Sequence, residues 1–79
     1  MKEKILIVED EREIADLIEL YLLNEDFDVR KFCTAKEALA CIADEEFDLA
    51  VLDLMLPDAD GFSVCRKIRE SYTYPIIML

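Results

Sequence analysis

Residues 5–10 read ILIVED, and residues 49–53 read LAVLD. Each is an apolar run that ends abruptly in carboxylates. Two further short runs, DVRKF at 28–32 and PIIML at 75–79, complete a set whose full extents are 4–9, 28–32, 48–53 and 75–79. The first, third and fourth are almost continuously apolar, which suits parallel strands covered on both faces. The second is more polar and reads as an edge strand. Pro75 opens the fourth run, where a missing amide is tolerated.

Helical patterns fill the gaps. Ile14, Leu17, Ile18, Tyr21 and Leu22 recur at the spacing of one helix face, with Asn24 as the stop. TAKE at 34–37 has the form of a capping box, in which Thr34 caps the helix and Glu37 reaches back to the Thr34 amide. Ala35, Ala38, Leu39 and Ile42 then form the buried stripe. Phe62, Cys65 and Ile68 do the same for a third helix, from Gly61 or Phe62 to about Ser71. The order β-α-β-α-β-α-β, with right-handed crossovers, predicts one domain built on a doubly wound parallel sheet.

Composition narrows the chemistry. Of 79 residues, 54% are hydrophobic, so the chain forms a core. Nine Lys and Arg against nineteen Asp and Glu give a net charge of −10, which repels nucleic acid and anionic membranes. No apolar run approaches the roughly 20 residues of a membrane helix, and MKEKILIVED meets its acids too early for a signal peptide. The cytoplasm is therefore the expected compartment. Cys33, Cys41 and Cys65 include no CxxC pair and suggest neither a disulfide framework nor a zinc site; Cys41 and Cys65 read as buried thiols. With no histidine, no Ser-His-Asp triad or Cys-His dyad can form within the chain. With Gly61 as its only glycine, neither a dinucleotide fingerprint nor a P-loop can be built. Whatever chemistry the chain performs must run on carboxylates.

Ligands of open parallel sheets bind beyond the carboxyl ends of the strands, where the strand order reverses. Glu9 and Asp10 sit at that end of the first strand and Asp53 at that of the third. If those strands are neighbours, as in a 2-1-3-4 order, all three acids converge, because adjacent strands lie about 4.8 Å apart. Acids at strand ends also simply begin solvated loops, but three on these two strands would repel one another unless a hard divalent cation resolved the conflict. Oxygen ligands with retained waters suit Mg²⁺. A carboxylate beside Mg²⁺ can attack a phosphoryl group, and Asp53 is followed by LMLPDADG, whose Pro57 and Gly61 would shape an ordered turn. Two look-alikes fail. Aligning Asp60-Gly61 to a calcium loop puts Leu56 at the first ligand and Lys67 where a bidentate Glu belongs. The second Asp of haloacid-dehalogenase-like phosphatases would fall on Met55.

KILIVEDE at 4–11, DLAVLDLMLPDADGF at 48–62 and YPIIML at 74–79 together resemble the receiver domain of bacterial two-component response regulators, in particular the OmpR/PhoB-like subclass. EIADLIELYL, TAKEAL and TYPIIML are similar to the regulators of vancomycin resistance. The resemblance covers the whole chain. It implies a flavodoxin-like fold and a phosphoacceptor role for Asp53, with a sensor histidine kinase as donor. It also implies Mg²⁺ held by Asp10, Asp53 and the backbone carbonyl of Met55, with Glu9 acting through a water. The missing histidine is then the partner's. The receiver would regulate transcription through a DNA-binding domain not present in these residues, and would not itself be a turnover enzyme.

Measured against that family, residues 1–79 are expected to be the N-terminal part of a single receiver domain, truncated after the fourth strand. The Ser or Thr that contacts the phosphoryl group, the Lys that pairs with it and the elements beyond are not among them. PIIML then becomes an exposed hydrophobic edge, a template for homo-oligomers. Two other readings are a small Mg²⁺-dependent phosphohydrolase and an assembly fragment whose acidic pocket is idle.

Overall fold

The alternating runs become four strands and three helices: β1 Lys4–Val8, α1 Arg12–Asn24, β2 Asp28–Phe32, α2 Ala35–Asp44, β3 Leu49–Leu52, α3 Gly61–Ser71 and β4 Ile76–Met78. The structure is a computed structural model that describes residues 2–79. All strands are parallel, in the order β2-β1-β3-β4. This is the expected α/β doubly wound, flavodoxin-like arrangement, with β2 at one edge and β4 at the other.

Register decides what each side chain covers. Ile5 pairs with Leu49 and Ile7 with Val51, while Leu6 pairs with Ala50 and Val8 with Leu52. Side chains alternate across a sheet, so Leu6, Val8, Ala50 and Leu52 meet Ala38, Ile42, Val64 and Ile68 of α2 and α3 on one face. Ile5 and Ile7 meet Ala15 of α1, with Ile18 and Leu22 beside it, on the other. Both faces of β1 are covered, which explains the unbroken apolar run. Burying each such side chain stabilises the fold by about 1.5–3 kcal/mol.

Three local expectations need correction. On α1 the inward residues are Ala15, Ile18 and Leu22, whereas Ile14, Leu17 and Tyr21 are exposed. Lys31 of β2 draws Asp16 and Glu19 toward it, with an Nζ–Oε1 distance of 2.8 Å to Glu19. The Asp16–Glu19 flank thus lies beside β2, the Ile14–Leu17–Tyr21 flank is on the opposite side of the helix, and the face between them packs on the sheet through Ala15, Ile18 and Leu22. On α3, Gly61, Val64 and Ile68 face inward; Phe62 is exposed and Cys65 half-buried. Cys41 is likewise half-buried, and its thiol donates to Glu45 Oε1 at 3.5 Å.

The ends of the helices are set by side chains. Thr34 Oγ1 accepts from the Glu37 amide at 3.3 Å, as a cap should. Glu37, however, takes the Thr34 hydroxyl at 3.0 Å instead of the Thr34 amide, so the capping box is half-formed. Asp60 caps α3 by accepting from the Ser63 amide at 2.8 Å. After Asn24 the chain leaves α1 through Asp26, whose φ of 67° is in the left-handed region that short polar side chains tolerate.

Candidate metal centre

Asp53 and Glu9 are each delivered by one ladder bond beyond their strands. The Asp53 amide donates to the Val8 carbonyl at 2.8 Å, and the Glu9 amide to the Phe32 carbonyl at 3.0 Å. Both side chains therefore emerge at the carboxyl ends of β3 and β1, with Asp10 one residue on. Carboxylate oxygens of Glu9, Asp10 and Asp53 all lie within 4.8 Å of one another. Neighbouring ligands of an octahedral Mg²⁺ are about 3.0 Å apart and opposite ones about 4.2 Å, since each Mg–O bond is about 2.1 Å. The cluster thus suits a small hard cation held directly by some of the carboxylates, with another acting through water.

Burial grades the three acids. Glu9 is 4% exposed, Asp53 is half-buried and Asp10 is exposed. Burial pushes the Glu9 carboxyl up to about 7; the Glu11 amide, donating to Glu9 Oε2 at 3.1 Å, pulls the other way, and the neighbouring Asp53 adds to the rise. Asp53 moves in the opposite direction. Burial raises it, but the Met55 amide and its neighbours Glu9 and Asp10 together hold it below the ordinary value. The Met55 amide donates to Asp53 Oδ1 at 3.1 Å. The two acids are thus pushed apart, Glu9 upward toward neutrality and Asp53 downward, as crowded carboxyls are.

The loop after Asp53 is folded back on itself. The Leu56 amide donates to the Ala59 carbonyl at 3.0 Å, and the Gly61 amide to the Leu54 carbonyl at 2.7 Å. Leu56 anchors the loop in the core. Gly61 is required by close approach: a Cβ there would overlap the Asp53 carbonyl oxygen and lie 2.9 Å from Met78 Cε. Asp10, Glu11, Asp53, Met55, Pro57 and Leu79 are among the residues lining an open cleft of about 570 Å³ over the cluster. A narrower recess of about 310 Å³ lies between the ends of α2 and α3, against Leu39, Ile42, Lys67 and Tyr72; no acid triad lines it.

The sequence-predicted residues Glu9, Asp10 and Asp53 are brought together, and Met55 borders the same cleft. Sequence reasoning missed the contact of Asp58 with the start of α2, where its two oxygens accept from the Ala35 and Lys36 amides at 2.9 and 3.0 Å. Those partners lie more than twenty residues upstream, and no local pattern signals them. It also missed the Asp60 cap, for which the signal exists: an Asp immediately before a helical stripe.

Among known proteins, residues 5–79 match the response regulator receiver domain family. The chain is 63% identical to regulatory protein VanR of Enterococcus faecium over 79 residues, all of this chain and 34% of VanR. It therefore spans about a third of the length of that relative. Among solved structures, the non-phosphorylated HemR receiver domain from Leptospira biflexa superposes with a TM-score of 0.90 at 32% identity, over 98% of this chain and 63% of that one. The BeF3-activated N-terminal receiver domain of Klebsiella pneumoniae RstA gives 0.87 at 41%, over 95% and 64%. With the family matched along nearly its whole length and the acid triad at the expected strand ends, the chain belongs to the response regulator receiver domains of two-component systems.

Proposed function

We propose that this chain accepts a phosphoryl group on Asp53 from the phosphohistidine of a sensor histidine kinase, with Mg²⁺ as cofactor. The observation that carries this reading is the ionised Asp53 within 4.8 Å of two further carboxylates in an open cleft. An Asp53 carboxylate oxygen attacks phosphorus; the P–N bond to the donor imidazole breaks, and the imidazole leaves with the bonding pair. Mg²⁺ bound by Asp10, Asp53 and the Met55 carbonyl, with Glu9 acting through a water, would neutralise the phosphoryl oxygens. Asp10 would add a direct ligand charge. Glu9 would give up its proton when the cation arrives. The loop residues Pro57 and Gly61 hold Asp53 and Met55 in register. The RstA receiver described as BeF3-activated supports the reading, because BeF3 on an acceptor carboxylate imitates a phosphoryl group.

Transcriptional regulation, on this reading, is carried by a DNA-binding segment outside residues 1–79, since a net charge of −10 opposes nucleic-acid contact. Coverage of 63% and 64% of two receiver structures supports treating residues 1–79 as the N-terminal part of one receiver domain. Among the described residues no helix is long and apolar enough to cross a membrane, and the cytoplasm is the compartment we assign. Among the described residues β4 pairs with β3 alone and carries the half-exposed Ile77, which supports self-association of the 79-residue chain. Sedimentation velocity tests that point: wild type should run as an oligomer and Ile77→Lys as a smaller species, and a monomeric wild type contradicts it. The test of the main reading is transfer from a phosphorylated histidine kinase. Label should pass to the wild type and not to Asp53→Asn; equal labelling of both would overturn it.

A further inference from the structure

The first three amides of α2 are all satisfied, but by two different segments. Thr34, the residue before the helix, reaches only the Glu37 amide. The Ala35 and Lys36 amides are taken by Asp58, one carboxylate oxygen each, at 2.9 and 3.0 Å. Asp58 lies midway along the loop that joins β3 to α3, the loop that begins at Asp53. The loop's remaining hydrogen bonds among the described residues run differently. Met55 to Asp53, Leu56 to Ala59 and Gly61 to Leu54 close it on itself, the Leu54 amide meets the Leu79 carbonyl, and Asp60 serves α3. Among the described residues Asp58 alone ties the loop to α2 by hydrogen bonds, beside the apolar packing of Leu56 in the core that the helix shares. A carboxylate at a helix N-terminus is favoured by the helix dipole as well as by the bonds themselves. The Ala35 and Lys36 amides accordingly hold the exposed Asp58 carboxyl below the usual range.

We infer that Asp58 is a positioning residue, clamping the loop against α2 so that the Met55 backbone is held at the cation site. The inference rests on the reading of that site as an Mg²⁺-dependent phosphoacceptor. Met55 and Asp58 are joined through the short hairpin in which Met55 bridges Asp60 and Leu56 bonds Ala59. A displacement of the loop tip is therefore passed to Met55. Coupling is reciprocal: if the clamp prepares the cation site, cation binding must tighten the clamp.

The test uses wild type, Asp58→Ala, Asp58→Asn and Thr34→Ala, each titrated with Mg²⁺ while amide resonances and amide hydrogen exchange are followed by NMR. Asp58→Ala should bind Mg²⁺ about tenfold more weakly, the low end of what loss of a ligand's support costs. Asp58→Asn keeps one acceptor oxygen and should recover part of the affinity. Thr34→Ala removes a cap from the same helix without touching the loop, and should bind as wild type does. In the wild type, Mg²⁺ should slow exchange at Ala35 and Lys36. Wild-type affinity in Asp58→Ala would overturn the clamp, as would an equal loss in Thr34→Ala or unchanged exchange at Ala35 and Lys36. A wild type that binds no Mg²⁺ would overturn the site reading itself, and the clamp with it. Should Asp58→Ala fail to fold, Asp58→Asn and the wild-type exchange data decide the matter.

Discussion

Glu9→Gln should make the metal-free chain more stable at neutral pH, although it removes a residue of the candidate site. In the fold Glu9 holds its proton up to about 7, against an ordinary value of 4.5. Between those values the folded chain binds a proton that the unfolded chain has released, so stability falls as pH rises through this window. At about 1.4 kcal/mol per pH unit, the loss from below pH 4.5 to above pH 7 comes to about 3 kcal/mol. Asp53, Asp58 and Asp60 are held below 3.8, Glu45 is held below 4.5, and the chain has no histidine. Urea unfolding followed by circular dichroism at pH 5 and pH 8, with a chelator present, should show most of that loss in the wild type. The Glu9→Gln chain, which carries no proton to release there, should show almost none. Saturating Mg²⁺ should abolish the wild-type decline, because the cation favours the ionised form. Equal stability of the wild type at the two pH values, or the same decline in Glu9→Gln, would refute the reasoning.

Asp10→Asn should weaken Mg²⁺ binding by roughly tenfold or more, since ligand charge count sets affinity; calorimetric titration at pH 7.5 checks this, and unchanged affinity removes Asp10 from the ligand set. Gly61→Ala forces a methyl group onto the Asp53 carbonyl, a backbone atom that cannot swing aside, and should cost about 1–3 kcal/mol in thermal unfolding. A neutral effect would mean that the loop can shift without cost. Ile7→Asp places a charge where Ile7 is fully buried between α1 and the sheet, at a cost of several kcal/mol against a typical total stability of about 5–15 kcal/mol. Loss of the cooperative unfolding transition is the expected result; a cooperative one would contradict the assigned core.

The sheet was legible because its strands carry an unmistakable pattern. A run such as ILIV, apolar on both faces, fits a parallel sheet covered by helices on both sides, and alternation with helical stretches limits the topology. The acid triad was legible for a related reason: strand ends mark where ligands bind, so Glu9, Asp10 and Asp53 could be placed together once β1 and β3 were made neighbours. The orientation of α1 was not legible. Its apolar residues spread around more than half the helix, and the face that turns inward is the one on which Ala15, Ile18 and Leu22 meet Ile5 and Ile7 of the sheet, a tertiary fit that helical spacing alone does not reveal. Nor could TAKE reveal that its helix is capped from the β3–α3 loop. That contact depends on tertiary geometry, with partners more than twenty residues apart in the chain.

The central claim is that Asp53 accepts a phosphoryl group in the presence of Mg²⁺. Intact mass spectrometry after incubation with acetyl phosphate tests it directly, with wild type and Asp53→Asn each run in Mg²⁺ and in chelator. The account predicts one added phosphoryl group on the wild type in Mg²⁺ alone, and none on Asp53→Asn. A folded wild type that stays unmodified in Mg²⁺, or an Asp53→Asn chain that gains the same mass, would contradict it.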